Sequence, residues 1–68
     1  MDDIMRFMVY CTELYRLHRG LTGPEVMDLF ERFDVLRYIE ESYGALQVTG
    51  IEYICDDLDG LIAERSAS

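Results

Sequence analysis

Leu21-Thr22-Gly23-Pro24-Glu25-Val26 and, further along, Val48-Thr49-Gly50-Ile51-Glu52-Tyr53 are two copies of one helix-start signature. In each, a Thr is followed three residues later by a Glu, the pattern of a capping box. The Thr hydroxyl accepts from the backbone N–H of the third helical residue, and the Glu carboxylate accepts from the N–H of the Thr. Leu21 with Val26, and Val48 with Tyr53, occupy the positions of a hydrophobic staple over each start. No register of matching residues continues outside the two boxes, so they read as two similar helix starts rather than an internal duplication.

Upstream of the first box, Asp3 to Arg19 carries a helical stripe of Ile4, Phe7, Met8, Cys11, Leu14, Tyr15 and His18. Met5 and Val9 widen it beyond what one packed face needs, while Arg6, Glu13 and Arg16 mark a narrow opposite side. So apolar a helix is expected to be central in the fold or shared with another subunit. Asp2 and Asp3 suit the positive end of its dipole, Arg16 and Arg19 the negative end, and Gly20 the left-handed position just beyond.

Downstream, a second helix is expected from Gly23 to about Phe33, with Pro24 in the first turn, where a missing N–H costs nothing. Val26, Leu29, Phe30 and Phe33 make its single core face. Asp34 stands as the N-cap of a third helix with an inner stripe of Leu36, Ile39, Tyr43 and Leu46, flanked by Val35 and Tyr38 and weakened at Gly44. In the last segment Ile51, Ile54, Leu58, Leu61 and Ile62 form a helical stripe. Mid-helix Asp residues and Gly60 argue against its continuity, Gly costing about 1 kcal/mol relative to Ala. Residues 51–56 therefore stay open between an irregular helix and an extended stretch at Tyr53-Ile54-Cys55, with Asp56 or Asp57 capping a shorter helix. A lone strand would leave its backbone groups unpaired, which favours the helix. The expected fold is all-α: a single domain over residues 1–65, a bundle of about four short helices, and a frayed tail at 66–68.

Sixty-eight residues permit one domain with a marginal core. Half of them are apolar, among them five Tyr, three Phe and four Met. That is more than so small a core absorbs, and self-association, most simply a dimer, is expected. Fourteen acids face six basic residues, all Arg, for a net charge of −8. This charge repels phosphate backbones and favours encounter with a basic protein partner. The acidic start Met1-Asp2-Asp3 is unlike a signal peptide, and no stretch approaches the roughly 20 apolar residues of a membrane span. Two Cys make no disulfide framework. A cytoplasmic protein with reduced thiols and no membrane contact is expected.

Candidate chemistry is sparse. Asp56, Asp57 and Asp59 before Gly60 have the acidic spacing of a calcium loop, but Ile62 and Ala63 interrupt it and no closing Glu follows at the required place. Cys11, His18 and Cys55 lack the short Cys-x-x-Cys or His-x-x-x-His spacing of zinc ligands, and fit a core Cys and a partly buried His. His18 is the single His, and spacing suggests no nucleophile–base pair with it or with Ser42; Glu40 and Glu41 fall on a solvated face. No catalytic, cofactor-binding or metal-ligating residue is assigned, no cofactor is expected, and a non-enzyme is the reading.

Phe7-Met8-Val9-Tyr10-Cys11, Leu21-Thr22-Gly23-x-Glu25-Val26-x-x-Leu29-Phe30, Tyr38-Ile39 with Tyr43 and Leu46, and Thr49-Gly50-x-x-Tyr53-Ile54-x-x-Asp57-Leu58 together resemble the bacterial domain-of-unknown-function 3791 family. The likeness covers nearly the whole chain and consists mostly of core and cap residues. It implies a short accessory protein without an established activity. Some such proteins are encoded beside ADP-ribosyltransferase-like proteins in toxin–antitoxin-like arrangements. Gln47 departs from the family pattern where a His often follows the Leu, and Asp34 where a Gly is common.

The expectation is thus a non-enzymatic protein–protein interaction module, self-associating and antitoxin-like in masking a basic partner. The alternative is a helix-turn-helix-like nucleic-acid-binding regulator built on the second and third helices. Its recognition helix would carry Arg37 but also Glu40 and Glu41 toward phosphates, which disfavours it. A small metal-dependent enzyme around Asp56–Asp59 is the third class.

Overall fold

Helix α1 spans Asp3–Arg19, α2 Gly23–Arg32, α3 Val35–Glu41, α4 Tyr43–Val48 and α5 Ile51–Ser66. The computed structural model describes residues 2–67, and of Ile51 the backbone alone; Ser68 of the expected tail and the Ile51 side chain of the expected stripe lie outside the described residues. Within that range the chain is all-helical, a small bundle in which α1 is central and packs against α2, α3 and α5.

Local chemistry sets the first two helices. The Asp2 carboxylate caps α1 by accepting from the Met5 N–H at 2.8 Å. Gly20 ends α1 at φ 67°, ψ 36°, a left-handed conformation that costs glycine nothing. The Leu21 N–H then donates to the Arg16 carbonyl at 2.9 Å, while Arg16 Nη1 donates to the Leu21 carbonyl at 3.2 Å. The capping box forms as expected: the Thr22 N–H donates to Glu25 Oε1 at 2.8 Å, and the Glu25 N–H to Thr22 Oγ1 at 3.2 Å. Behind it, Val26 and Phe30 are buried against Cys11 and Tyr15 of α1, with the Tyr15 and Phe30 rings 5.5 Å apart.

Asp34 corrects one expectation. It precedes α3 but makes no side-chain cap, because its backbone is left-handed at φ 53°, ψ 41° and the carboxylate cannot swing over the helix start as an extended cap does. Positive φ is the conformation that favours Gly, and here it is adopted by an Asp. Arg65 of α5 fastens this corner by donating from Nη1 to the carbonyls of Phe33 and Asp34.

The expected third helix is two, giving five helices instead of about four. Ser42 sits at φ −101°, ψ 13° and breaks it. Serine competes with the backbone for hydrogen bonds and is a weak mid-helix residue. The break sets the Tyr43 ring edge-on to Phe7 of α1, with centroids 5.3 Å apart. Val35, Ile39 and Leu46 are the buried residues of this stretch, and Leu36 is only half-buried.

The extended alternative for residues 51–56 does not hold: α5 runs unbroken through them. Ile54, Leu58 and Ile62 bury one face of α5 in the core. Two of its mid-helix acids have partners on other helices, since Tyr38 donates to Asp57 at 2.6 Å and Tyr15 to Asp59 at 2.5 Å. The second capping box does not form. Gly50 is the N-cap of α5 and supplies no side chain, while the Thr49 hydroxyl donates backwards to the Ala45 carbonyl at 3.0 Å.

Candidate functional site

Two features stand out on the surface, one apolar and one polar. Met5, Met8 and Val9 of α1, Met27 of α2 and Leu36 of α3 line an apolar groove of about 320 Å³, with Thr12 and Glu13 beside them. Val9 is 59% exposed, Met5 56% and Met27 45%. The widened stripe on α1 is thus an apolar strip outside the core. Methionine, flexible and polarizable, suits such a strip to accommodating varied apolar shapes.

The polar feature joins α1 to α5. Buried Tyr15 donates its hydroxyl to Asp59 Oδ1, and Arg19 Nη1 donates to the Tyr15 oxygen at 2.8 Å and approaches Asp59 Oδ1 at 3.4 Å. The His18 Nε2 lies 2.8 Å from Asp59 Oδ2. Burial first, and the neighbouring carboxylate second, push the Tyr15 hydroxyl up to about 12, so it remains a proton donor at neutral pH. Burial works to raise the Asp59 carboxyl as well. The hydrogen bonds from Tyr15 and His18 and the nearby His18 and Arg19 outweigh that and hold it below the ordinary carboxylate range.

A family model described as "Protein of unknown function (DUF3791)" matches residues 6–65. The chain belongs to the DUF3791 family. No curated protein and no solved structure matches it. In this DUF3791 chain the matched span takes in α2, α3 and α4 entirely, with most of α1 and α5.

The residues weighed from sequence fall as follows. Asp56, Asp57, Asp59 and Gly60 all lie within helix α5, so they cannot form the sharply turned loop that calcium coordination needs. Cys11 is buried in the core and its thiol is pushed up to about 11, by burial first and by Cys55 second; both cysteines are free. His18 is exposed and pairs with Asp59 rather than with sulfur. Arg37 is tied to Glu41 at 3.3 Å and to Asp34 at 3.9 Å on a helix of seven residues. Gln47 donates to the Tyr43 hydroxyl at 3.0 Å. The sequence reading missed the Tyr15–Asp59–His18 cluster, whose members are 44 and 41 residues apart. The available signal was the α5 stripe, which puts Asp59 at its margin beside Leu58. No helix of the described residues is long and apolar enough to cross a membrane.

Proposed function

We propose that this DUF3791 protein is a non-enzymatic interaction module whose apolar groove between α1, α2 and α3 receives an apolar segment of a basic partner protein. The groove carries the reading: large apolar side chains are exposed there in a chain that has a core of its own. Contiguous apolar surface on a small protein marks a docking site more often than scattered exposure does. Charge selects the partner. Of the six Arg, Arg16, Arg19, Arg32 and Arg37 are already paired with acids of the same chain, so the acidic excess faces outward. A second copy would bring the same −8 charge, whereas a basic partner complements it. In its most concrete form the module masks a basic toxin, in line with the toxin–antitoxin-like arrangements that the family resemblance implies.

The test is co-purification with the product of the adjoining gene, followed by titration of the pair at two salt concentrations. Val9→Asp and Met27→Asp, both at exposed positions, should each weaken binding tenfold or more. Added salt should weaken it further. Unchanged binding in both variants would remove the groove from the reading. A dimer of the chain alone that Val9→Asp dissociates would reassign the groove to a second copy.

A further inference from the structure

We infer that His18, Asp56 and Asp59 form a binding site for one divalent transition-metal ion of the zinc class, on the surface where α1 meets α5. One ligand atom from each residue lies within 4.8 Å of the other two. Around zinc, with bonds of about 2.0–2.2 Å, neighbouring donor atoms stand roughly 3–3.5 Å apart. The His18 Nε2 to Asp59 Oδ2 distance of 2.8 Å is slightly short of that, while the trio spreads to within 4.8 Å, so a bound cation moves His18 slightly outward and draws the Asp56 carboxylate in. His18 and Asp56 are exposed and their side chains have room to make these shifts.

The surroundings prepare Asp59 for this role. Tyr15, anchored in the core, donates to Oδ1, and Arg19 approaches that same oxygen. Oδ2 is left directed at the imidazole. An outer hydrogen bond that fixes a ligating carboxylate is the usual support of a metal ligand. Asp56 stands one helical turn before Asp59, and among the described residues it makes no hydrogen bond or ion pair of its own. Two carboxylates held this close repel one another, and a divalent cation between them turns that repulsion into coordination. The imidazole sets the class: nitrogen with two carboxylate oxygens suits Zn²⁺ and its neighbours, while Ca²⁺ and Mg²⁺ prefer all-oxygen sets. His18 then carries its proton on Nδ1, and the remaining coordination positions open to water. This site shares no residue with the apolar groove.

Zinc titrated into chelator-treated protein, in competition with a chromophoric chelator, should show one ion per chain, undisturbed by an equal concentration of Ca²⁺. Asp56→Asn, which removes no internal hydrogen bond, should weaken binding at least tenfold while leaving the circular dichroism spectrum unchanged. His18→Gln should do the same. Co²⁺ in place of zinc should give visible bands without sulfur-to-metal charge transfer. Unchanged affinity in Asp56→Asn, sulfur charge transfer showing that Cys11 and Cys55 hold the ion, or no binding up to millimolar zinc would each overturn the site.

Discussion

The two Thr-x-x-Glu starts differ in everything except sequence. At Thr22 the box closes in both directions, and Val26 behind it is buried. At Thr49 neither bond of the box is made, Val48 is 88% exposed and Tyr53 61% exposed. The difference lies in what precedes each Thr. Gly20 and Leu21 separate Thr22 from α1, whose last carbonyls are already satisfied by the backbone turn at Gly20. Thr49 directly follows Val48, the last residue of α4, and its hydroxyl donates to the Ala45 carbonyl one turn back instead of capping α5. A capping signature therefore acts only where the chain before it has left helix. The start of α2 is fixed locally, whereas α5 is held by what it packs against.

The largest test of that contrast is Leu58→Ala, at a fully buried position of α5. It should cost about 2–5 kcal/mol in urea unfolding, because a cavity opens where packing is the main support. A cost no larger than that of a cap would break the contrast. Next, Thr22→Ala should cost about 1 kcal/mol, as the loss of a formed cap does. Thr49→Ala, by the same measurement, should stay within about 0.5 kcal/mol, since an exposed hydroxyl bonded to a helix end is all that goes. Equal costs for the two Thr would show that the second box forms in solution. Gly50→Ser should raise stability by a few tenths of a kcal/mol. It supplies the missing cap at φ −60°, ψ 150°, where any residue is at ease, and its Cβ would meet the Tyr53 ring at an ordinary 3.4 Å.

The smallest effect concerns pH. The Glu25 carboxyl is held below its ordinary value by the Thr22 backbone N–H, with a further contribution from the Thr22 side chain. With the folded value below the unfolded one, the stabilisation is complete above the unfolded pKa and disappears as pH falls through the folded pKa. Glu25→Gln keeps an acceptor without a charge, so its unfolding midpoint should lose this share of the acid dependence. Acid dependence identical to that of the parent chain would remove Glu25 from the cap.

Much of the architecture was legible because it is local. The boundaries of α1, the box at Thr22 and the buried Val26 and Phe30 of α2 follow from periodicity and from residues within a turn of one another, as does the centre of the α1 stripe at Cys11 and Tyr15, while its ends at Ile4 and His18 are exposed. The surplus apolar width at Met5 and Val9 was legible too, and it is one wall of the groove. Met27 and Leu36, which complete the groove, come from other helices, and no spacing along the chain joins them. The break at Ser42 and the left-handed turn at Asp34 were not legible, since a weak helix residue such as Ser does not by itself end a helix and the Asp34 corner is fastened by the distant Arg65. The cluster around Asp59 lies beyond sequence for the same reason. Two helices bring it together, and neither carries a signal of the other.

The corner after α2 also ties the middle of the chain to α5. α1, the turn at Gly20 and the start of α2 close on partners within a turn or so of one another. Asp34, left-handed at φ 53°, has its carbonyl held by a guanidinium 31 residues further on. A chain shortened before Arg65 would therefore keep its local caps and lose the contact that fastens this bend.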